Sequence, residues 1–477
     1  MKQEFRDWKS SEVDALVIVQ NGELNGYEGM QGNFALLKER GLLEGKEGEV
    51  AVATVACCSK ILEVAFVGGE EYSEKLVNGL AKAFRELKKR KVKSIGFDFS
   101  AVKDGQKKLS RSLGELFQMA DYCFDDYKSD AKKSTVETLL FKGLEVHEGA
   151  YRFGEVMGES NVLSRKLTNM PSNIMTPEKL AELAKEECEK VGIEVEVKQL
   201  AEIEALGMEA FLAVARASDN EPKLIVMRWK GAPDSDRTLG LVGKGLTYDS
   251  GGLSIKPTDG MITMKCDMGG ASAVISAMVG IAKLGIQANV TAVVATCENM
   301  ISGRSYKPGD ILSSMGGKSI FIGNTDAEGR LTLVDAVTYI IEKEKVTHVL
   351  DIATLTGAAV RALGSTVAAV VSNNDDFYEM VEKSFGKAHE KMWRMPLFDE
   401  YRELVKHTEA DLTNSAGGPG MMTAALFIEP FVQELPWVHV DIAGPAYSSK
   451  ETPLCDKGGT GSGARPLILL AKKFAKH

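Results

Sequence analysis

The chain has 477 residues, 44% hydrophobic and 26% charged, a composition that excludes disordered and fibrous classes and provides for two or three domains with ample core. A net charge of -9 disfavours nucleic acid as the main partner, because phosphate binding needs a basic field. Seven cysteines, odd in number and irregularly spaced with Cys57 and Cys58 adjacent, form no disulfide framework and point to a reducing, cytoplasmic compartment.

The amino terminus carries acidic residues and no sustained apolar stretch ahead of a small-residue cleavage site, so no signal peptide is expected. Strand-like runs at Ala15–Val19, Glu49–Val55, Leu62–Val67 and Ser94–Phe99 alternate with helix candidates. Over Ser73–Lys89, Leu76, Leu80, Phe84 and Leu87 fall on one helical face. This alternation predicts an α/β domain over residues 1–148. The basic run Arg85–Lys93 reads as a solvated helix end that complements the helix dipole, in preference to a nucleic-acid patch. Residues 149–168 read as a linker helix, and Thr176 followed by Pro177 as the N-cap and first position of the next helix.

Residues 169–477 form a larger domain with strand candidates Lys223–Trp229, Thr238–Val242, Asn289–Ala295, Thr347–Leu350 and Trp437–Val440. Several are continuous apolar runs, as in strands covered on both faces. The fold class is therefore α/β, two domains each with a central, mostly parallel sheet flanked by helices. In such sheets the ligand site lies beyond the carboxyl ends of the strands. The longest uncharged apolar stretch, Met268–Ala282, is too short and too rich in glycine to span a bilayer, so no membrane association is expected.

Two polar, glycine-rich segments follow strand candidates. VGKGLTYDSGGLSIKP runs on into MKCDMGGA, and the second segment is GNTDAEGRL. They supply Lys244, Asp249, Lys256, Asp267, Asp326, Glu328 and Arg330. Four carboxylates in one pocket need compensating positive charge, because like charges and burial both oppose ionisation. Two divalent ions match the four acids and suit hard oxygen donors. Ordinary ion pairs with Lys244, Lys256 and Arg330 would neutralise the acids as well, and spacing alone favours that structural reading over a metal pair. In an extended segment Asp326 and Glu328, two apart, project to the same side.

GNTDAEGRL, with the two segments above and with DIATLTGA and NMPSNIMTP, closely resembles the leucyl (cytosol) aminopeptidases, the M17 family of dinuclear metallopeptidases. The resemblance covers the chain from Asn169 to the GGTGSGAR segment and is weaker before it, where YCFDDYKS is similar to the family's segment closing the amino-terminal domain. It implies that Lys244, Asp249, Asp267 and Glu328 hold the tighter metal, and that Asp249, Asp326 and Glu328 hold the exchangeable one. Mn2+ or Zn2+ are the implied ions, with Mg2+ and Co2+ suited to the same donors. Lys244 would have to coordinate as the neutral amine. Lys256 would stay protonated and meet the charge growing on the scissile carbonyl oxygen, and Arg330 would hold a bicarbonate proton shuttle. The implied nucleophile is a water bridging the two ions, with one ion capturing the free α-amine of the peptide. Met264, Thr354, Leu355 and Gly357 lie where the family contacts substrate. A flexible apolar Met suits Leu or Met side chains, although core packing explains an isolated Met equally well. The resemblance further implies a homohexamer.

Other signals carry less. His147 and His389 each precede a glutamate without the second histidine of HExxH, and His348 and His439 read as structural histidines. GGKS at Gly316–Ser319 lacks the first glycine of a P-loop, and GKGLTY lacks the third glycine of a dinucleotide fingerprint. GGTGSG reads as a flexible loop in preference to an anion cradle, and the cysteines read as buried small hydrophobes before nucleophiles, with Cys266, beside Asp267, the one that stands out. Two rival functions remain open at this level: a dinuclear metal phosphoesterase, which carboxylate-rich sites also support, and a DNA-binding accessory protein, which the acidic balance disfavours.

Overall fold

The alternating runs near the amino terminus assemble into a six-stranded sheet in the computed structural model, which describes residues 1–24, 26–57, 60–131 and 134–476. Its strands are β1 (Lys2–Phe5), β2 (Ala15–Gln20), β3 (Val50–Cys57), β4 (Lys60–Gly68), β5 (Ser94–Asp98) and β6 (Thr138–Lys142), in spatial order β1-β6-β5-β2-β4-β3. All neighbours are parallel except β3, which pairs antiparallel with β4. Buried aliphatic and aromatic side chains fill both faces, with Leu76, Leu80, Phe84 and Leu87 of helix Glu74–Lys88 seated on one of them. Ser73 caps that helix by accepting the Leu76 N–H at 3.1 Å, as its sequence requires. The basic run at the end of the helix is paired on the surface: Lys88 with Asp121, Lys89 with Glu86, Arg90 with Glu63, and Arg85 with Glu451 and Asp456. Of the adjacent cysteine pair, Cys58 lies outside the described residues.

The second sheet has eight strands: β7 (Glu194–Lys198), β8 (Lys223–Lys230), β9 (Thr238–Asp249), β10 (Asn289–Asn299), β13 (His348–Ala353), β14 (Val367–Ser372), β15 (Lys391–Arg394) and β17 (Trp437–Asp441). Between and after them in the chain come the short strands β11 (Ile311–Leu312), β12 (Ile320–Phe321) and β16 (Leu412–Thr413), which form a three-stranded sheet, and β18 (Tyr447–Ser448) with β19 (Gly458–Gly459). The large sheet runs β15-β14-β17-β13-β9-β10-β8-β7. Its centre, from β17 through β13 and β9 to β10, is parallel. β8 and β7 add antiparallel strands at one flank, and β14 is antiparallel to β17 at the other. Helix Gly269–Lys283, with Met268 as its N-cap, takes up the long apolar stretch and is buried along Gly269–Ala282, so that stretch is a core helix. Among the described residues no helix is long and apolar enough to cross a membrane.

Two compact units divide the chain: Met1–Glu159 with Lys450–Asp456, and Ser160–Ser449 with the residues from Lys457 onward. The division falls inside helix Glu148–Asn169. In its first half Gly154 lies so close to helix Gln106–Asp121 that a Cβ there would stand 1.9 Å from the Arg111 carbonyl oxygen. In its second half Asn161 and Arg165 donate hydrogen bonds to the Thr460 carbonyl at 3.1 Å. One helix thus belongs to both units because its two halves pack on different neighbours.

Candidate metal centre

The parallel strands β9, β10 and β13 end at one edge of the large sheet, and the polar segments lie there. β9 carries Lys244 within the strand and Asp249 as its last residue. The loop after β9 brings Lys256, and the single turn Met264–Cys266 delivers Asp267. Asp326 and Glu328 sit on an irregular turn, with Glu328 at the N-cap of helix Gly329–Glu342. This corrects the expectation of an extended segment: the following apolar run, LTLVDAVTYII, is helical and buried, and it draws Glu328 out of any strand.

The carboxylates nevertheless converge. One oxygen each of Asp249, Asp326 and Glu328 lies within 4.8 Å of the others, a group able to hold a metal ion. Asp267 joins through Lys244, whose Nζ lies 2.7 Å from Asp267 Oδ2 and 2.9 Å from Glu328 Oε1. The same nitrogen donates to the Thr354 carbonyl at 2.9 Å. Gly329 makes room for it, since a Cβ at that position would stand 2.4 Å from Lys244 Cε. Lys256 Nζ lies 2.7 Å from Asp249 Oδ2 and also pairs with Asp326.

Lys244, Asp249, Asp267 and Glu328 are all buried. Burial, with the Asp249 charge adding to it, pushes Glu328 up to about 8. Burial likewise raises Asp267 to about 6 despite Lys244, and raises Asp326. For Lys244 burial acts downward, but the charges of Asp267, Glu328 and Asp249 outweigh it and hold the amine above its ordinary value. Lys256 is raised against burial by Asp249, Glu328 and Asp326. Two lysines thus face four carboxylates, and the cluster meets the shortfall by favouring bound protons. Glu328 Oε2 is buried with no hydrogen-bond partner. The donors are hard oxygens plus one amine, which fits divalent cations.

Arg330, on the first turn of the helix, donates from Nη1 to the Asn414 carbonyl at 2.7 Å, while its Nε is buried without a partner. Burial lowers it to about 10, so it remains a cation at neutral pH. Thr354 and Leu355 follow β13 half-buried, and Gly357 is exposed at the start of helix Gly357–Leu363. Thr354 Oγ1 is engaged with Asp267 Oδ1 at 2.8 Å. Met264 is half-buried on the turn leading to Asp267.

Sequence reasoning missed several residues here. Asp441, at the end of β17, accepts the Leu355 N–H at 3.1 Å and the Thr356 hydroxyl at 2.7 Å, fixing the loop after β13. Asn299, Tyr306 and Thr325 are buried between the polar segments. Asn299 and Asp441 each close an apolar strand at the ligand edge of the sheet, and the expectation that ligand sites lie at the carboxyl ends of the strands could have found them.

The rejected signals have structural roles. His439 Nδ1 meets Asp351 at 2.6 Å in the core, and His348 lies edge-on to Phe377 and Phe474. In GGTGSG, Ser462 Oγ and the Gly463 N–H donate to Glu390, a carboxylate where an anion cradle would need room for an anion.

The comparisons with known proteins agree with this geometry. The family model "Cytosol aminopeptidase family, catalytic domain" matches residues 162–468, and "Cytosol aminopeptidase family, N-terminal domain" matches residues 16–131. A probable cytosol aminopeptidase of Clostridium perfringens is 45% identical over 490 aligned positions, covering 98% of both chains. One from Clostridium tetani is 42% identical, covering 98% of this chain and 99% of its own. Among solved structures, a mutant of tomato leucine aminopeptidase superposes with a TM-score of 0.88 at 31% identity, over 99% of this chain and 96% of that one. The bottromycin maturation enzyme BotP in complex with Mn gives 0.87 at 28%, over 97% and 99%. None of these is a phosphoesterase or a nucleic-acid-binding protein by description, and neither rival reading gains support. The chain belongs to the cytosol aminopeptidase family, M17, and is a metal-dependent aminopeptidase, a hydrolase acting on peptides.

Proposed function

We propose that Lys244, Asp249, Asp267, Asp326 and Glu328 hold two divalent cations, and that the chain releases amino-terminal residues, Leu or Met by preference, from peptides with a free α-amine. The observation that carries this reading is the charge deficit of a buried cluster in which four carboxylates face two lysines and Glu328 Oε2 has no partner. Following the family, Lys244, Asp249, Asp267 and Glu328 hold one ion, and Asp249, Asp326 and Glu328 the other. Mn2+ and Zn2+ are favoured, with Mg2+ and Co2+ compatible, and the Mn complex of BotP supports that choice. When bound, such ions polarise a carbonyl and lower the pKa of water enough to make it a nucleophile at neutral pH.

The chain's own residues supply the rest. Lys244 must give up one proton to serve as a ligand, and one of its two remaining N–H groups keeps the Thr354 carbonyl as acceptor. Lys256 stays protonated, because neighbouring acids outweigh its burial, and offers a fixed positive charge to the carbonyl oxygen as negative charge grows there. Arg330 holds an anion such as bicarbonate through its unpartnered Nε and keeps it available as a proton carrier. Met264, Thr354, Leu355 and Gly357 accommodate the first residue, with Asp441 keeping the loop that carries Leu355 in place. Residues 1–148 form the amino-terminal domain, residues 149–168 link it to the catalytic domain of 169–477, and the assembly is a cytoplasmic homohexamer.

The test is a substrate panel on protein reconstituted with Mn2+ or Zn2+. Leucine and methionine p-nitroanilides are cleaved, whereas N-acetyl-leucine p-nitroanilide and p-nitrophenyl phosphate are not. Equal turnover of the blocked substrate, or faster turnover of the phosphate ester, would refute the reading.

A further inference from the structure

We infer that Asn299, supported by Tyr306, is a positioning residue for metal binding: its side-chain amide fixes one oxygen of Asp249 and ties the loop after β9 to the NTDAEGRL turn. The inference rests on the metal-centre reading above and names a residue outside its ligand set.

Asn299 is the last residue of β10, directly in register with Asp249, the last residue of β9. Its Nδ2 has two hydrogens and both are used. One goes to Asp249 Oδ1 at 2.8 Å, the other to the Thr325 carbonyl at 3.0 Å. Because both partners are acceptors, the amide can face them only through nitrogen; the flipped orientation would set oxygen against oxygen. Its main chain grips the same loop, since the Asn299 carbonyl accepts the Ser250 N–H at 3.0 Å and the Ser250 hydroxyl at 2.8 Å.

Asp249 Oδ1 also accepts the Gly251 N–H at 2.9 Å. With two donors on Oδ1, the carboxylate is locked about its terminal torsion, and Oδ2 is the oxygen turned to Lys256. Asp249 is thereby presented in one orientation to the space it shares with Asp326 and Glu328.

Thr325, one residue before Asp326, is held from three sides. Its carbonyl accepts Asn299 Nδ2 and the Tyr306 hydroxyl, the latter at 2.7 Å. Its own hydroxyl donates to the Gly251 carbonyl at 2.7 Å and accepts the Ser254 N–H at 2.8 Å. Asn299 and Thr325 have no exposure and Tyr306 only 2%. Every donor of this network is used, while Asn299 Oδ1 is buried without a partner, so the amide is held through its nitrogen alone and each further lost bond would leave another buried group unpaired. Outer groups that orient ligands typically govern metal affinity 10- to 100-fold.

The experiment uses the full chain, stripped with chelator and titrated with Mn2+ alone, with free Mn2+ read from its electron paramagnetic resonance signal. The unaltered chain, Asn299→Ala and Tyr306→Phe are compared, and the thermal unfolding of each metal-free protein is recorded. The inference expects two ions per chain in the unaltered protein, dissociation constants raised about 10- to 100-fold in Asn299→Ala, and a rise of roughly 3- to 10-fold in Tyr306→Phe, which loses one hydrogen bond. A purely structural role would lower the unfolding temperature of the metal-free variants and leave the constants unchanged, and that result would overturn the inference. If Asn299→Ala does not fold, Tyr306→Phe decides alone, and affinity equal to the unaltered chain overturns the proposal. Failure of the unaltered chain to bind Mn2+ would instead strike the metal-centre reading itself.

Discussion

The two parallel-rich sheets each bury acidic side chains at the carboxyl ends of their strands, and they treat them in opposite ways. At the end of β5, Asp98 is buried and fully served: it accepts the Tyr27 hydroxyl at 2.6 Å, the Ser100 N–H at 2.9 Å and the Ser100 hydroxyl at 2.6 Å, with Lys142 at 3.2 Å. Burial would raise its pKa, yet these partners together hold it below the usual carboxylate range. Lys142 in turn rests over the Trp8 and Tyr27 rings at 4.6 and 5.0 Å, a cation on aromatic faces. One acid with one lysine and three donors is a closed structural network. In the larger sheet burial prevails, and Asp267, Asp326 and Glu328 are all raised. Position at the ligand edge of a sheet therefore does not make a site; an uncompensated charge there does.

The comparison breaks most visibly at Glu328. Glu328→Gln removes one charge and one ligand while keeping the shape, and is expected to lower kcat/KM for leucine p-nitroanilide by roughly 10^4-fold. Retention of most activity would return the acid cluster to the same structural class as Asp98. Next comes Lys256→Ala, expected to lower kcat by about 10^2 to 10^3 with little change in KM, as for loss of a charge that acts in the transition state. Gly329→Ala sharpens the geometry, because the new Cβ would overlap Lys244. A displacement of the order of an ångström costs about 10^2-fold in rate, and steady-state kinetics on metal-saturated enzyme would measure it.

The closed network answers differently. Asp98→Ala leaves Lys142 and Tyr27 without their anion and is expected to destabilise the fold by on the order of 3 kcal/mol, read by denaturant unfolding, with kcat of the metal-loaded enzyme unchanged. The smallest effect is in pH. The lowered pKa of Asp98 means its contribution is present above the ordinary value of 3.8 and is lost as pH falls through the lower folded value. The stability difference between the unaltered chain and Asp98→Asn should therefore be constant near neutrality and shrink below about pH 4. A difference that grows on acidification would show the sign to be wrong.

Much of this was legible in the sequence. β2 through β5, β8, β9, β10, β13 and β17 all coincide with apolar runs, and the acids fall where strands of a parallel sheet end. The resemblance carried by NTDAEGRL drew out what spacing could not, since an ion-paired cluster and a metal centre use the same residues. What escaped has physical causes. β1 (KQEF) and β7 (EVEVK) are edge strands with charges and partial exposure, so neither reads as an apolar run. Strand direction at the flanks leaves no mark in composition, which hid the reversed direction of β8 and its antiparallel pairing with both β10 and β7. The strand candidate ending at Ala295 stopped short of Asn299, because CEN is polar in sequence although buried in the fold. Asp326 and Glu328 were expected on an extended segment, and the strong helix that follows overrides that local geometry.

If two cations, and not the lysines alone, balance the acids of the larger sheet, metal must bind in a fixed ratio to the chain. Equilibrium dialysis of chelator-stripped protein against Mn2+ and Zn2+, with metal counted per chain, tests it most directly. Two ions per chain are expected in the unaltered protein and fewer than one in Glu328→Gln. A chain that binds no metal yet still cleaves leucine p-nitroanilide would contradict it.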